Sequence, residues 1–156
     1  MPSASPVSAS TRIAAPPERV WALISDLPRM GEWSPETTRV TWRGGVTSAM
    51  PGARFVGHNR NGVRRWSTHG VVRVAEPGRE LSFDISFVGF PISRWTYRIE
   101  PDGDGCVVTE STADRRGPVM PWVSAPFTGV IDRASHNART MEATLEALRV
   151  AAEQAG

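Results

Sequence analysis

The sequence predicts an α+β fold in which one antiparallel sheet of six to seven strands curls around a long C-terminal helix. The apolar residues alternate with a period of two near the N-terminus, switch briefly to helical spacing, and return to a period of two from residue 37 to residue 114. The C-terminal segment is helical again. A single helix can cover so large a sheet only if the sheet curls, and a curled sheet leaves room for a cavity.

The N-terminal segment predicts one strand followed by two short helices. Residues 7–13 alternate as a strand does, and Pro17 suits the first turn of a helix. Apolar residues at helical spacing predict an amphipathic helix over 17–27. A second short helix is predicted over 28–35, and it carries Trp33.

Closely spaced alternating segments predict the antiparallel strands of the sheet. Asn61-Gly62 is the strongest hairpin signal in the chain. Further turn signals fall at 76–78 and 102–105, and Gly89 and Pro91 interrupt the pattern between two other strands. The segment 88–92 is therefore expected to form a loop.

The terminal helix is predicted over roughly 120–152. Its apolar stripe recurs at alternating steps of four and three residues, which is the spacing of one helix face. The stripe consists of Phe127, Ile131, Ala134, Ala138, Met141, Leu145, Leu148 and Ala152.

The length of 156 residues predicts one domain, which we place at 6–153 after a disordered N-terminus at 1–5. No apolar run approaches the ~20 residues of a membrane span. The N-terminus has neither the basic nor the apolar region of a signal peptide. The single cysteine, Cys106, excludes an internal disulfide and fits a reducing compartment. We therefore expect a cytoplasmic protein.

The charged residues give no sign of a nucleic-acid partner or a metal site. All 18 basic residues are arginine, the net charge is only +2, and the arginines are spread along the chain. His58, His69 and His136 do not form a spaced ligand set. The sequence has no glycine-rich phosphate loop and no credible catalytic triad, and it implies no cofactor.

These elements, in this order, resemble a known family. The chain is similar to the START-like, helix-grip superfamily, in particular to its SRPBCC branch named after polyketide cyclases and dehydrases. The resemblance covers about residues 6–152 and implies the order β-α-α-β(5–6)-α. The family includes lipid and sterol carriers, hormone receptors and aromatase/cyclases, so it implies a fold more than a reaction. The matching segments, besides the terminal helix, are 14–21, 26–35, 51–55, 57–60, 66–68 and 103–110.

The inward-facing side chains are predicted to line the cavity and contact a ligand. Six Trp in 156 residues is a high count, and aromatic rings around a cavity suit flat or extended apolar molecules. Each large apolar side chain also has an ordinary role in core packing, and this alternative stays open. The predicted site residues are Trp33, Phe55, Asn59, Trp66, Phe83, Phe87, Trp95, Glu110, Phe127, Ile131 and Ala134, with Asn137 or Ala138 as a further candidate.

Asn59 and Glu110 are the polar members of this set. A buried polar group needs a partner, and the indole N–H of Trp66 or Trp95, or Asn59 itself, is a candidate donor to Glu110. The alternative is that both residues orient a hydroxyl or carbonyl of a ligand. A buried Glu110 also has a raised pKa and suits general acid or base work.

The sequence leaves three classes of function open. The first is a binding protein for a small hydrophobic molecule, such as a lipid, isoprenoid or polyketide-like aromatic, gated by the segments 33–35 and 88–92. It needs no catalytic residue. The second is a polyketide-type aromatase/cyclase or dehydratase that uses Glu110, Asn59 and His136. The third, an interaction module, has no support in the sequence. A monomer and a homodimer are equally compatible with the pattern.

Overall fold

The computed structural model describes residues 7–116 and 133–154. Seven strands, two α-helices and one short 3-10 helix occupy these residues. In chain order they are β1 (Val7–Ile13), α1 (Pro17–Ile24), the 3-10 helix (Leu27–Glu32), β2 (Thr37–Trp42), β3 (Arg54–Asn61), β4 (Arg64–Glu76), β5 (Glu80–Phe87), β6 (Phe90–Asp102), β7 (Gly105–Asp114) and α2 (Arg133–Gln154).

The seven strands form one antiparallel sheet in the order β1-β7-β6-β5-β4-β3-β2. Each strand from β2 to β6 pairs with the next one along the chain, and β1 joins the sheet beside β7. The sheet curls around the C-terminal helix, which confirms the predicted α+β, helix-grip architecture. No helix in the described ranges is long and apolar enough to cross a membrane.

Tight turns connect the central strands. Asn61 pairs with Arg64, so the predicted hairpin at Asn61-Gly62 is confirmed, with Gly62 at a φ of 63°. The loop expected over 88–92 is wrong. Phe87 pairs with Phe90, which leaves only Val88-Gly89 as a two-residue turn, and both turn residues have positive φ. Pairing continues through this region because a two-residue turn of this kind matches the twist of the flanking strands.

The N-terminal helices are shorter than predicted. The α1 helix ends at Ile24. Ser25 is its C-cap, and its backbone N–H and hydroxyl both donate to the carbonyl oxygen of Trp21, the hydroxyl at 2.6 Å. The backbone leaves helical geometry at Asp26, where ψ is 73°. The 3-10 helix ends at Glu32, one residue before Trp33. Trp33 is buried, with only 7% of its surface exposed.

The C-terminal helix α2 packs against β1 and α1. The predicted stripe is buried over the described part of the helix at Met141, Leu145, Leu148 and Ala152. Polar contacts fix its end, because Glu153 accepts from the backbone N–H of Ala14 at 2.9 Å. The predicted helix start near residue 120 and the predicted disorder of 1–5 lie outside the described residues.

Candidate functional site

A cavity of about 200 Å³ lies between the concave face of the sheet and the helix α2. All seven strands contribute to its described wall, and α2 contributes Asn137, Thr140 and Thr144. The volume far exceeds the about 10–15 Å³ that a single water needs. It is therefore large enough for a small organic molecule.

Aromatic rings form much of the cavity wall. Phe55 and Phe83 meet edge to face at 5.5 Å between ring centroids, and Phe83 lies 6.5 Å from Tyr97. Trp66 and Trp95 are half-buried and line the cavity on strands β4 and β6. These rings come from strands on which every second residue faces inward, so the period-two pattern places them on one surface.

Asn59 is held in a fixed orientation on the wall. Its side-chain oxygen accepts a hydrogen bond from the hydroxyl of Thr37 at 3.1 Å, and its amide nitrogen donates to Thr68 at 3.2 Å. Both partners line the cavity as well. Asn59 bridges β2 and β4 from its place on β3, so its first role is to tie three strands together.

Glu110 is the most deeply buried carboxyl on the wall, with 2% of its surface exposed. The hydroxyl of Tyr97 donates to Glu110 Oε2 at 2.8 Å. Burial raises the pKa of Glu110 from 4.5 to about 8, against the opposing effect of the Tyr97 hydrogen bond. Burial also raises the pKa of Tyr97, so its hydroxyl remains protonated near neutral pH.

The predicted hydrogen-bond donors to Glu110 are wrong. The indole N–H of Trp95 donates to the hydroxyl of Ser93 at 3.0 Å. Asn59 bonds to threonines, as described above, and the donor to Glu110 is Tyr97. The reason is register: Tyr97 lies directly opposite Glu110 in the β6–β7 pair, whereas Trp95 lies opposite Thr112.

A hydrogen bond and an ion pair lie at the cavity. Nε2 of His136 is 2.7 Å from Oε2 of Glu36, which connects α2 to the segment just before β2. Arg116 contacts both carboxylate oxygens of Asp114, at 2.9 and 2.6 Å. Glu36, Asp114 and Arg116 belong to the wall. His136, which the sequence offered as a candidate acid or base of an enzyme, thus bonds a wall residue.

The structure brings most of the predicted site residues together. Trp33 and the alternative candidate Ala138 are not on the described wall. Trp33 lies in the apolar core, and its ring stacks with the guanidinium of Arg29 at 5.3 Å. Phe127 and Ile131 lie outside the described residues, and Ala134 lies in α2 with its side chain outside the description. The predicted residues found on the wall are Phe55, Asn59, Trp66, Phe83, Phe87, Trp95 and Glu110, together with the further candidate Asn137.

Several polar wall residues were absent from the predicted site. Tyr97 and Thr112 face inward with Trp95 and Glu110, so strand parity offered a signal for both. Glu36 and Thr37 precede and begin β2, where the sequence has no clear alternation. Their position at the cavity depends on how β2 pairs with β3, and no local sequence pattern predicts that pairing.

Comparisons with known proteins agree with this architecture. The family model described as polyketide cyclase / dehydrase and lipid transport matches residues 6–153. The Polyketide_cyc-like protein Cgl2372 from Corynebacterium glutamicum is 32% identical, and the match covers 96% of this chain and 91% of that chain with a TM-score of 0.58. No curated protein matches.

Two solved structures are similar at lower identity. The di-domain ARO/CYC StfQ from the steffimycin biosynthetic pathway has a TM-score of 0.73 at 15% identity, and the match covers 96% of this chain but 51% of StfQ. Protein CV1439 from Chromobacterium violaceum has a TM-score of 0.71 at 16% identity, with 96% and 99% covered. This likeness concerns the fold alone.

A curled sheet that holds a cavity beneath its C-terminal helix defines a helix-grip protein. Within that class, the chain belongs to the polyketide cyclase / dehydrase and lipid transport family. The resemblance drawn from the sequence is confirmed.

Proposed function

We propose that this protein binds a small hydrophobic molecule in the cavity between the sheet and α2. The observation that carries the proposal is the aromatic wall around a volume of about 200 Å³. Apolar surface that leaves water on binding contributes roughly 25 cal/mol per Å² before the costs of association are subtracted. Membership of a family whose description includes lipid transport supports this function.

The ligand is to be identified by native mass spectrometry of the protein purified from its own host. We expect a mass increment of one small apolar molecule per chain, and extraction into organic solvent then gives its class. A protein that arrives empty, and that also fails to bind any apolar probe after delipidation, would contradict the proposal.

A matched pair of variants tests whether binding takes place in this cavity. Thr140 lines the cavity from α2, whereas the neighbouring Arg139 is exposed. We expect Thr140→Phe to fill part of the volume and to weaken binding of the neutral fluorescent probe N-phenyl-naphthylamine at least tenfold. Arg139→Phe adds the same ring outside the cavity and should leave probe affinity unchanged. Equal affinities for the two variants would place the probe elsewhere.

A second candidate function is a polyketide-type aromatase/cyclase or dehydratase reaction. The observation that favours it is a buried carboxyl on the cavity wall whose pKa is raised to about 8. A carboxyl with such a pKa can give a proton to a departing hydroxyl or accept one from a carbon beside a carbonyl near neutral pH. Glu110 would be the acid or base, and Tyr97 would orient it.

Substitution of Glu110 separates the two candidates. Under the enzyme hypothesis, Glu110→Gln should reduce turnover of a polyketide-type probe by a factor of about 10² to 10⁴ while the probe still binds. Thr109→Val is the control, because Thr109 lies on β7 off the cavity wall and its hydroxyl bonds that of Ser10 at 3.0 Å. If the wild-type protein binds the probe and leaves it unchanged, the binding function alone stands.

A further inference from the structure

Two buried polar atoms on the cavity wall have no hydrogen-bond partner among the described residues. They are Oε1 of Glu110 and Oγ1 of Thr112, and the residues are 2% and 5% exposed. An unsatisfied buried polar atom costs about 1–3 kcal/mol, and native proteins contain few of them. Both lie on the same face of β7, two residues apart, and both line the cavity.

The other buried polar side chains on the described wall, those of Asn59, Ser93 and Thr144, are satisfied within the chain. Asn59 bonds Thr37 and Thr68, and Ser93 accepts from Trp95. Over the described ranges, the unsatisfied buried side-chain atoms are confined to one patch of β7. We call Glu110 and Thr112 the β7 polar pair. A ligand that enters the cavity and forms hydrogen bonds with this pair would satisfy polar atoms that the chain leaves without a partner.

The neighbours of the β7 polar pair are aromatic. Tyr97 lies opposite Glu110 and Trp95 lies opposite Thr112 in the β6–β7 register. Side chains directly opposite each other in a pair have Cβ atoms about 4.5–5.5 Å apart. The pair thus forms a small polar patch beside the aromatic rings of Tyr97 and Trp95. Such a patch suits a molecule with a polar end and an apolar body.

The charges around the cavity disfavour an anionic ligand. Arg116 is engaged by Asp114, and His136 is engaged by Glu36. A ligand carboxylate at the β7 polar pair would therefore lie beside Glu110, and no cationic side chain on the described part of the wall would be available to pair with it. A buried charge that is not paired is strongly disfavoured.

The hydrogen bond from Tyr97 fixes which oxygen of Glu110 can meet a ligand. Because burial raises the pKa of Glu110 to about 8, its carboxyl is mostly neutral at pH values around 7. Tyr97 donates to Oε2, so Oε1 is left to carry the proton and donate it. The hydroxyl of Thr112 can donate or accept. A ligand must therefore present an acceptor oxygen to this part of the wall.

We propose that the ligand is an uncharged, oxygen-bearing apolar molecule, such as a ketone, a phenol or an alcohol. Its oxygen bonds the β7 polar pair, and its hydrocarbon body lies against Phe83, Phe87 and Trp95. The inference rests on the proposed binding function and adds the chemical class of the ligand. It excludes free fatty acids and other carboxylates as preferred ligands.

The test is a set of probes with one common ring system, titrated into the delipidated protein by calorimetry at neutral pH. The probes are naphthalene, naphthol, naphthoate and naphthylmethylamine. We expect naphthol to bind about fivefold to tenfold more tightly than naphthalene, since it gains a hydrogen bond in a buried site. The two charged probes should bind more weakly than naphthol.

Isosteric variants locate the hydrogen bond. Thr112→Val and Glu110→Leu should each reduce the preference for naphthol over naphthalene, and Glu110→Gln should retain it because an amide N–H also donates. Thr109→Val is the matched control, because it removes a hydroxyl of the same strand that lies off the cavity wall and bonds the hydroxyl of Ser10 at 3.0 Å, and it should keep the full preference. An unchanged preference in both Thr112→Val and Glu110→Leu would overturn the assignment.

The outcomes separate this inference from the function on which it rests. If naphthalene and naphthol bind with equal affinity, the inference is wrong. The cavity then binds apolar molecules, but the β7 polar pair forms its hydrogen bonds elsewhere in the chain and not with the ligand. Tightest binding of naphthoate or naphthylmethylamine would refute the uncharged class. If no probe binds, the proposed binding function itself fails.

Discussion

At the scale of single residues, the protonation of Glu110 on the cavity wall makes the stability of the fold depend on pH. Unfolded Glu110 loses its proton near pH 4.5, whereas folded Glu110 keeps it until about pH 8. Between these values the folded state binds more protons than the unfolded state, so stability falls as pH rises. Glu110 alone contributes a slope of about 1.4 kcal/mol per pH unit in this window.

We therefore predict that Glu110→Gln removes this slope. Urea unfolding of the unliganded protein at several pH values between 5 and 8 should show the wild type losing stability relative to the variant as pH rises. All other titrating groups are common to both proteins, so they cancel in the comparison. Parallel pH profiles for the two proteins would show that Glu110 ionises in the folded state as it does in water.

Val88 is a residue in an unfavourable backbone conformation. Its φ is 51°, and β-branched residues rarely adopt positive φ. The residue is 72% exposed, so little packing is lost by replacing it. Val88→Asn creates an Asn-Gly turn, which two-residue hairpins prefer. We expect it to stabilise the protein by about 1 kcal/mol in thermal or urea unfolding.

Val63 provides the control for that prediction. It is also an exposed valine in a two-residue hairpin turn, between β3 and β4, but it does not have positive φ. Val63→Asn should leave stability within about 0.5 kcal/mol of the wild type. A similar gain in both variants would assign the effect to the loss of exposed apolar surface.

At the scale of elements, a cluster of charges joins the outer faces of the central strands. Asp84 on β5 is 7% exposed on its side chain and lies between three guanidinium groups. Arg94 contacts it at 2.6 Å, Arg73 at 2.9 Å and Arg115 at 3.1 Å. The pKa of Asp84 is lowered from 3.8 to about 2, mainly by the hydrogen bond from Arg94. A hydrogen bond from Arg73 and the charge of Arg115 lower it further.

We predict that Asp84→Asn destabilises the protein by about 2 kcal/mol at neutral pH, because three arginines lose their common counter-charge. The contribution of Asp84 is present above about pH 3.8 and is lost as pH falls through about 2. Urea unfolding should therefore show wild type and variant converging at low pH. Convergence would be absent if Asp84 contributed only packing.

Glu80→Gln is the matched control on the same strand, β5. Glu80 pairs with Arg98 at 3.0 Å, and the Arg98 side chain is 65% exposed. Exposed pairs of this kind contribute about 0–1 kcal/mol. We expect a loss in that range, well below the effect at Asp84.

Elements and faces were largely predictable from the sequence, because strand alternation depends on local residues. The inward orientation of Phe55, Asn59 and Trp95 was predicted from the alternation of residues along each strand alone. The partner of Glu110 did not, since it depends on the register between β6 and β7 rather than on either strand. The end of α1 was also missed, because the apolar spacing continues to Leu27 whereas the backbone leaves helical geometry at Asp26.

At the scale of the whole molecule, the first strand and the last helix of the described chain both contribute to the cavity wall. The first strand, β1, joins the sheet beside β7, and Glu153 near the C-terminus bonds the backbone of Ala14. The helix α2 then closes the concave face with Asn137, Thr140 and Thr144. The empty volume is a cost to stability, since wall atoms without neighbours lose packing contacts. Ligand binding and stability are therefore opposed at this site.

This opposition gives the last prediction, which concerns Thr140→Phe. A ring placed in the cavity buries apolar surface, so we expect the unliganded variant to be about 1 kcal/mol more stable than the wild type. At a ligand concentration of about 100 Kd, the wild type gains about 2.7 kcal/mol from binding, and the variant gains little. The order of their melting temperatures should reverse when ligand is added. An equal ligand-induced shift in both proteins would mean that the ligand does not occupy the space beside Thr140, whereas a reversal would show that this fold gives up stability to keep its cavity open.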